Sequence, residues 1–277
     1  MNRRGLHSLR AAILASVLVS AGAPVYAQDM FEVPPEIEEL QQKAEAGSVE
    51  AARDLGFEYL FGRRIMQDGL SAEMWLLQAA KKNDAAAQAG LGYLYEEGIG
   101  LTANIKEAVK WYEKAAEADH PAAQSRLGYI LKSGGAGKPD YVAAAKWLAK
   151  ASAWGDPHAQ ANLADMYEKG LGVKQDYSLA ATWYSAASAQ NNVNAQWRLG
   201  HLYENGLGVQ KDHIKAYMWY SIAGVWDTLG EELPPNDPRV GLKKKMSEKD
   251  LLQAESMATD WWIEHFQAQD SELTVGP

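Results

Sequence analysis

Apolar residues recur along this chain at spacings of three and four, in short segments that polar residues precede and glycines follow. Residues 157–192 hold two such segments, one between Asp156 and Gly170 and one after Asp176. Their apolar positions are Ala159, Leu163, Met166 and Tyr167 in the first segment and Ala180, Trp183, Tyr184 and Ala187 in the second. Asp is a good helix N-cap, and Gly closes helix C-termini in the left-handed conformation. The pattern therefore predicts two amphipathic helices joined by a glycine turn.

This helix-turn-helix pattern occurs five times with a period of 36 residues and without insertion or deletion. Identical residues return in three columns: Leu55, Leu91, Leu127, Leu163 and Leu199; Ala51, Ala87, Ala123, Ala159 and Ala195; and Trp75, Trp111, Trp147, Trp183 and Trp219. A fixed period of about 20–50 residues is typical of solenoids, in which each unit covers an apolar face of its neighbour. We predict an all-α protein, an α/α solenoid (superhelix) of five 36-residue helix-turn-helix repeats with helical caps.

Other columns predict how the helices begin and how closely they pack. The residues that precede the first helices are Ser48, Asp84, His120, Asp156 and Asn192. His120 alone is a poor capping residue. Small residues on the first helices predict a close approach to the second helices, and the Trp column is expected to fill the space between them. The small residues are Gly56, Gly92, Gly128, Ala164 and Gly200.

One repeat unit also carries a recognisable motif. It consists of Ala159-Gln160-Ala161-Asn162-Leu163-Ala164, Tyr167, Gly170-Leu171-Gly172-Val173, Asp176-Tyr177, Ala180, Trp183-Tyr184 and Ala187. This unit resembles the Sel-like repeat (SLR), a relative of the tetratricopeptide repeat, and the resemblance covers residues 49–228. It implies a helical solenoid and, for bacterial proteins of this kind, a part in envelope signalling, exopolysaccharide production or host interaction. The first repeat departs most, because Gly62-Arg63-Arg64 replaces the Gly-x-Gly turn.

The chain is predicted to consist of a signal peptide followed by the repeat array, with a helical cap at each end of the array. We assign a signal peptide at 1–27, an N-terminal segment and capping helix at 28–48, repeats at 49–84, 85–120, 121–156, 157–192 and 193–228, a C-terminal helical cap at 229–268, and a disordered tail at 269–277. Ser247 followed by Asp250 predicts the start of the last capping helix.

The first 27 residues have the three parts of a signal peptide. Arg3, Arg4 and Arg10 form a basic region, residues 11–23 an apolar one, and Val25-Tyr26-Ala27 a small-residue cleavage site. We expect cleavage after Ala27 and a periplasmic or secreted protein without stable membrane insertion, by the Sec or the twin-arginine route. An uncleaved anchor is the alternative, but the apolar stretch is shorter than the roughly 20 residues that span a bilayer. A eukaryotic lumenal location is disfavoured by the lack of Asn-x-Ser/Thr acceptors and disulfides.

Charge and cysteine content restrict the partners and the chemistry. Removing the three arginines of the signal from the net charge of −9 leaves −12. Nucleic acid is therefore not an expected partner, because proteins that bind it present basic surfaces. The chain has no Cys, which excludes disulfides and cysteine nucleophiles. Its six His are scattered without metal-site spacing, so we expect neither a metal nor another cofactor.

An enzyme is the second hypothesis, because some proteins of the resembling family are described as penicillin-binding or β-lactamase-like. That reading implies a β-lactamase-like or peptidoglycan-acting hydrolase. No Ser in this chain has Lys three residues later, and Gly-x-Ser-x-Gly is absent. Glycine pairs such as Gly170-x-Gly172 follow helices, not strands, and indicate turns instead of phosphate loops. The sequence therefore favours a protein that is not an enzyme.

Residues on the first helices vary between repeats while the packing columns stay constant. Carrying over the geometry of tetratricopeptide relatives, where the first helix lines the concave side, we predict a partner groove. Its residues are Arg53, Phe57, Tyr93, Glu96, Tyr129, Lys132, Asp165, Glu168, Trp197, His201 and Glu204. Aromatic residues are typical binding anchors, and the later acids would border them. The alternative is that Tyr93 and Tyr129 pack as ordinary core.

The sequence thus favours an exported, non-catalytic interaction scaffold or adaptor that holds one or more proteins or peptides in its groove. A third hypothesis is a ligand-sensing regulatory solenoid whose curvature changes on binding.

Overall fold

The computed structural model describes residues 33–224 and 233–273, with only the backbone for 266–273. This part of the chain forms thirteen α-helices and contains no strand. The helices are α1 (Pro35–Glu45), α2 (Val49–Phe61), α3 (Gly69–Ala80), α4 (Ala85–Glu97), α5 (Ile105–Glu117), α6 (Pro121–Ser133), α7 (Tyr141–Ala153), α8 (Pro157–Lys169), α9 (Tyr177–Ser188), α10 (Val193–Asn205), α11 (His213–Gly224), α12 (Pro238–Lys243) and α13 (Glu248–Leu273). The predicted signal peptide, its cleavage site after Ala27 and residues 225–228 and 274–277 lie outside the described residues.

Helices α2 to α11 form five antiparallel pairs, which we number modules 1 to 5 in chain order. Within each module the two helices pack against each other, and the second helix also packs against the first helix of the next module. Contacts therefore run from neighbour to neighbour along the chain, as in a solenoid. The predicted all-α solenoid of five repeats with helical caps is confirmed.

A side chain caps the N-terminus of every first helix in the array. The capping side chain accepts a hydrogen bond from the backbone N–H three residues later in each module, at 3.2 Å for Ser48 and 2.6 Å for Asp156. His120 does the same through Nδ1, which accepts from the N–H of Ala123 at 3.3 Å. The view of His120 as a poor cap is therefore wrong in geometry, because a neutral imidazole nitrogen is an acceptor. Burial lowers the pKa of His120, although the carboxylate of Asp84 opposes the shift.

A glycine ends every first helix in the left-handed conformation, with φ between 61° and 74°. Gly62 of module 1 shares this conformation although the rest of its turn departs from the repeat. Within the helices, small residues serve a different purpose. A Cβ on Gly92 would lie 2.5 Å from the ring of Tyr112, so glycine lets α4 and α5 approach closely.

The space between the two helices of a module is filled by the residue after the tryptophan. These residues are Leu76, Tyr112, Leu148, Tyr184 and Tyr220, and all are at most 3% exposed. Four of the five tryptophans are only partly buried, Trp75 being the exception. The prediction that the Trp column fills this space is therefore wrong. Trp111 and Trp147 instead lie beneath the ammonium groups of lysines on their own helices, at 4.0–5.3 Å from the ring centroids.

A buried glutamine column joins successive modules and was not recognised in the sequence. Gln88, Gln124, Gln160 and Gln196 lie near the start of the first helices of modules 2 to 5. Each donates through Nε2 to a carbonyl oxygen at the end of the preceding second helix, at 3.1–3.3 Å. Each accepting carbonyl lies at the end of its helix and also accepts the backbone N–H three residues later, at 3.0–3.1 Å. The glutamines therefore add a second hydrogen bond at each helix end and link neighbouring modules together.

Helices cover both ends of the array. Helix α1 buries Ile37 and Ala44 against module 1, and Gln78 donates to the Ala44 carbonyl at 2.7 Å. At the other end α13 packs against α11 and begins with reciprocal hydrogen bonds between Ser247 and Asp250, as predicted. Helix α13 continues to Leu273, through residues for which we predicted a disordered tail from Gln269.

Candidate partner-binding site

The first helices of the modules line one face of the array. In the part of the chain that the structure describes, helices α2, α4 and α6 each contact the next first helix directly, and α8 and α10 meet through Glu168 and Arg198 at 3.5 Å. No pair of successive second helices makes a comparable set of contacts there. An array whose elements are closer together on one side curves toward that side. We call the surface formed by α2, α4, α6, α8 and α10 the inner face.

The predicted aromatic run divides into a packed part and an exposed part. Phe57 stacks on Phe61, with ring centroids 5.9 Å apart, and Phe61 contacts Tyr93 at the same distance. Phe57 also covers Gly90 of the next module, and Tyr93 packs against the cores of modules 1 to 3. These two aromatic residues therefore contribute to the junctions between modules, as the core alternative for Tyr93 expected.

Tyr129 and Trp197 are the exposed members of the run. Tyr129 is 49% exposed and Trp197 is 43% exposed. The indole of Trp197 stacks on the imidazole of His201 and makes an edge contact with the ring of Tyr220 at 5.6 Å. Contacts on both sides hold the indole in place without covering it. Such rigid, exposed aromatic groups lose little conformational entropy when a partner binds.

The glutamates of the predicted groove do not form an open acidic border. Glu96, Glu168 and Glu204 each accept a hydrogen bond from the tyrosine hydroxyl of the second helix in the same module. The oxygen-to-oxygen distances are 2.8 Å for Tyr112, 2.7 Å for Tyr184 and 3.1 Å for Tyr220. The side chains of Glu96 and Glu168 are only 10% exposed. The expectation of an acidic border is therefore corrected for these residues: they bind groups within the array.

Each of these glutamates also contacts a cation from the next module or from the cap. Arg126 binds Glu96 through two nitrogens at 2.7 and 3.2 Å, and Arg198 approaches Glu168 at 3.5 Å. Lys245 lies 3.7 Å from Glu204. Burial, together with the adjacent carboxylates, raises the pKa of all three tyrosines, so they remain neutral donors at physiological pH.

A signal for these Glu–Tyr pairs is present in the repeat alignment. Modules 2, 4 and 5 have Glu on the first helix and Tyr on the second, whereas module 1 has Leu60 with Leu76 and module 3 has Lys132 with Leu148. In modules 2, 4 and 5 the two columns match because the glutamate and the tyrosine are hydrogen-bonded to each other. Comparing columns in pairs would have identified the glutamates as packing residues.

The remaining predicted groove residues form ion pairs across the inner face. Arg53 binds Asp54 at 2.8 Å and, at 3.4 Å, Asp84, which caps the first helix of the next module. Lys132 and Lys169 both bind Asp165 at 2.6 Å. Burial works to raise the pKa of Asp165, but hydrogen bonds from the two lysines outweigh it and hold the pKa below its ordinary value. Asp165 is therefore a neutralised anion beneath the face.

Two clefts lie on either side of Trp197. The first has a volume of about 390 Å³, and its walls include Lys132, Asn162, Asp165, Asn194, Trp197 and Arg198. The second, about 270 Å³, lies between Trp197, Tyr220 and the start of the C-terminal cap at Asp237 and Arg239. The first volume is within the range of about 300–1,000 Å³ found for ligand sites. We call it the Trp197 cleft.

The inner face thus offers aromatic and polar surface for binding. Within residues 33–224 and 233–265, whose side chains are described, no group of three or more His, Asp or Glu residues is arranged to hold a metal ion. Over the described helices, none combines the length and apolar character needed to cross a bilayer.

Comparison with known proteins agrees with this architecture. The model of the Sel1 repeat matches residues 49–84, 85–120, 121–156, 157–192 and 193–224. Among solved structures, a Sel1 repeat protein from Oxalobacter formigenes is 29% identical, with 76% of this chain and 97% of that chain covered and a TM-score of 0.61. A protective antigen present in uropathogenic Escherichia coli strains, which displays an SLR fold, is 25% identical; 95% of this chain and 63% of that chain are covered, with a TM-score of 0.55. None of the curated proteins matches significantly. Since its five repeats match the family model over more than half of its length, the chain belongs to the Sel1 repeat family.

Proposed function

We propose that this protein is an exported, non-catalytic scaffold that binds a protein partner along its inner face. Sel1 repeat proteins are generally protein-interaction scaffolds and are typically non-catalytic. The observation that carries the proposal is the exposure of Tyr129 and Trp197 on the inner face, where the packing columns around them are buried. Large aromatic side chains that water reaches in the free protein are the usual anchors of an interface.

The place of action that we propose is the periplasm or the outside of the cell. The support for it is the basic, apolar and small-residue pattern of residues 1–27. The Escherichia coli relative is a protective antigen, which is consistent with an extracytoplasmic place for this chain as well. Envelope signalling, exopolysaccharide regulation and host interaction are the roles proposed for such a scaffold.

Replacing the two exposed anchors tests the proposal. The variant Tyr129→Ser/Trp197→Ser would be compared with wild type in affinity capture from the cell envelope, with bound proteins quantified by mass spectrometry. We expect recovery of the partner to fall at least tenfold, because hot-spot aromatic residues contribute about 2 kcal/mol or more each. Far-ultraviolet circular dichroism would show whether the variant keeps its helices.

The control replaces exposed apolar residues of the second helices by the same residue, serine. Val142 is 70% exposed and Leu179 41% exposed, and both lie near the starts of second helices, α7 and α9. Val142→Ser/Leu179→Ser should leave partner recovery unchanged. Equal recovery by both double variants, with helices intact, would contradict the assignment of the inner face.

A further inference from the structure

The Trp197 cleft contains the guanidinium of Arg198, which makes one long contact to a side chain of the preceding module. Arg126 and Arg198 occupy the same repeat position in modules 3 and 5, and each faces the buried glutamate of the preceding module. Arg126 binds Glu96 in a two-pronged contact through Nε and Nη2, at 3.2 and 2.7 Å. Arg198 makes one contact of 3.5 Å to Glu168, at the limit of a hydrogen bond. Arg198 therefore has free donors, since a guanidinium carries five N–H groups.

The glutamate facing Arg198 is already engaged. Tyr184 donates to Glu168 at 2.7 Å, and this hydrogen bond lies in the buried interior of module 4. The side chain of Arg198 is 37% exposed, with its guanidinium carbon 5.9 Å from the centre of the Trp197 ring. The arginine thus lies between a carboxylate that Tyr184 already binds on one side and an open cleft with an aromatic wall on the other.

The other charged residues of the cleft also favour the binding of an anion. Its charged wall residues are two cations, Lys132 and Arg198, and one anion, Asp165. Asp165 is bound by two lysines and its side chain is 15% exposed, so it presents little repulsion to an incoming carboxylate. Lys132 also donates to the Asn162 amide oxygen at 2.9 Å, which fixes the floor of the cleft. In a chain with a net charge of −9, this is a locally basic place.

We propose that the Trp197 cleft is the specificity site of the inner face and that it binds an acidic segment of the partner. A glutamate or aspartate side chain of that segment pairs with the free edge of Arg198. A neighbouring apolar side chain lies against the indole of Trp197. The volume of about 390 Å³ accommodates two such side chains. This inference rests on the proposed function, and it names the chemistry of the partner.

Peptide binding measured by fluorescence anisotropy tests the proposal. The probe is a fluorescein-labelled peptide of alternating Glu and Leu, blocked at both ends, and the comparison peptides have Gln or Lys in place of Glu. We expect the Glu peptide to bind at least about tenfold more tightly than the Gln peptide, since a charge-assisted, two-pronged pair is lost. The Lys peptide should not bind, and higher salt should weaken the Glu peptide.

Two arginine variants of equal chemistry provide the control. Arg198→Gln should weaken the Glu peptide about tenfold or more, whereas Arg126→Gln should leave it unchanged because that fork is occupied by Glu96. The indole N–H of Trp197, assigned in a nitrogen-15 spectrum with Trp197→Phe, should shift when the Glu peptide is added to wild type. This shift tests the cleft even if an arginine variant does not fold.

Several results would overturn the inference. These are equal affinity for the Glu and Gln peptides, equal loss in the two arginine variants, an unshifted Trp197 indole signal, or no binding of the Glu peptide at about 1 mM. The proposed function would survive any of them if Tyr129→Ser/Trp197→Ser still abolished capture of the native partner. Failure of that capture experiment would count against the scaffold proposal itself.

Discussion

Removing the hydroxyl of Tyr184 tests whether the Glu–Tyr pairs hold the modules together. Tyr184 is 2% exposed and Glu168 is 9% exposed, and their oxygens are 2.7 Å apart. Tyr184→Phe keeps the ring and deletes only the donor. A hydrogen bond to a charged group contributes about 1.5–3 kcal/mol. We expect a value in the upper half of that range, because Glu168 is left buried with one long contact to Arg198 at 3.5 Å.

The same substitution elsewhere gives a graded control. Tyr220→Phe should cost less, about 1 kcal/mol, because its hydrogen bond to Glu204 is longer, at 3.1 Å, and Glu204 is 21% exposed. Tyr203 lies against the ammonium of Lys215, and its hydroxyl makes no hydrogen bond to another residue of the described chain. Tyr203→Phe should therefore change the free energy of unfolding by less than about 0.5 kcal/mol.

The assay is equilibrium unfolding in urea followed by far-ultraviolet circular dichroism. The curves would be fitted with nearest-neighbour coupling between modules, as is appropriate for a repeat array. Tyr184→Phe should lower the free energy of unfolding most and Tyr203→Phe least. A Tyr184→Phe protein within about 0.5 kcal/mol of wild type would refute the role of this pair in stability.

Three further changes test other contacts. His120→Asn should stabilise the protein, and the gain should grow as the pH falls. Burial lowers the pKa of His120 in the folded protein below the value of about 6.5 for an unfolded chain, so wild type loses stability as the pH falls from about 6.5 through the folded pKa. A gain that does not change between about pH 8 and pH 5 would contradict this. Gly92→Ala should lower the free energy of unfolding by about 1–3 kcal/mol, because the new methyl group clashes with Tyr112. Gly241→Ala, with nothing within 4 Å of its methyl group, should not lower it, and equal urea midpoints for the two variants would contradict this prediction. Leu148→Ala, at a position that is 0% exposed, should cost about 2–5 kcal/mol and more than Trp147→Ala; the reverse order of unfolding free energies would restore the Trp column as the core.

The periodicity of the sequence was sufficient for the fold because a solenoid is built from local contacts. Each 36-residue unit repeats the same caps, stripes and glycine turn, so one unit predicted all five. The choice between neighbouring core positions was harder. Trp147 and Leu148 are adjacent, so their side chains leave the helix about 100° apart, and both lie next to the apolar stripe. The burial of Leu148 depends on how the helix is rotated against its partner, which periodicity alone leaves open.

The candidate site was predicted less well, for a specific physical reason. The column that contains Glu96, Lys132 and Glu168 varies between modules, and variation was interpreted as a surface property. Its glutamates occur where the second helix carries a tyrosine, as at Tyr112 and Tyr184, whereas Lys132 occurs with Leu148 and binds Asp165 of the next module instead. Trp197 is exposed as the groove hypothesis required, while its clefts depend on side chains from modules 3 to 5 and the cap, which the repeat alignment does not bring together.

Site-specific photo-crosslinking in living cells tests most directly whether the inner face holds the partner. A benzophenone amino acid would replace Tyr129 or Trp197 on the inner face, and Val142 or Leu179 on the second helices, in otherwise wild-type protein. Our account predicts that the two inner positions crosslink to the same partner protein and that the two outer positions do not. Crosslinks to that partner from Val142 or Leu179, with none from Tyr129 and Trp197, would contradict the account.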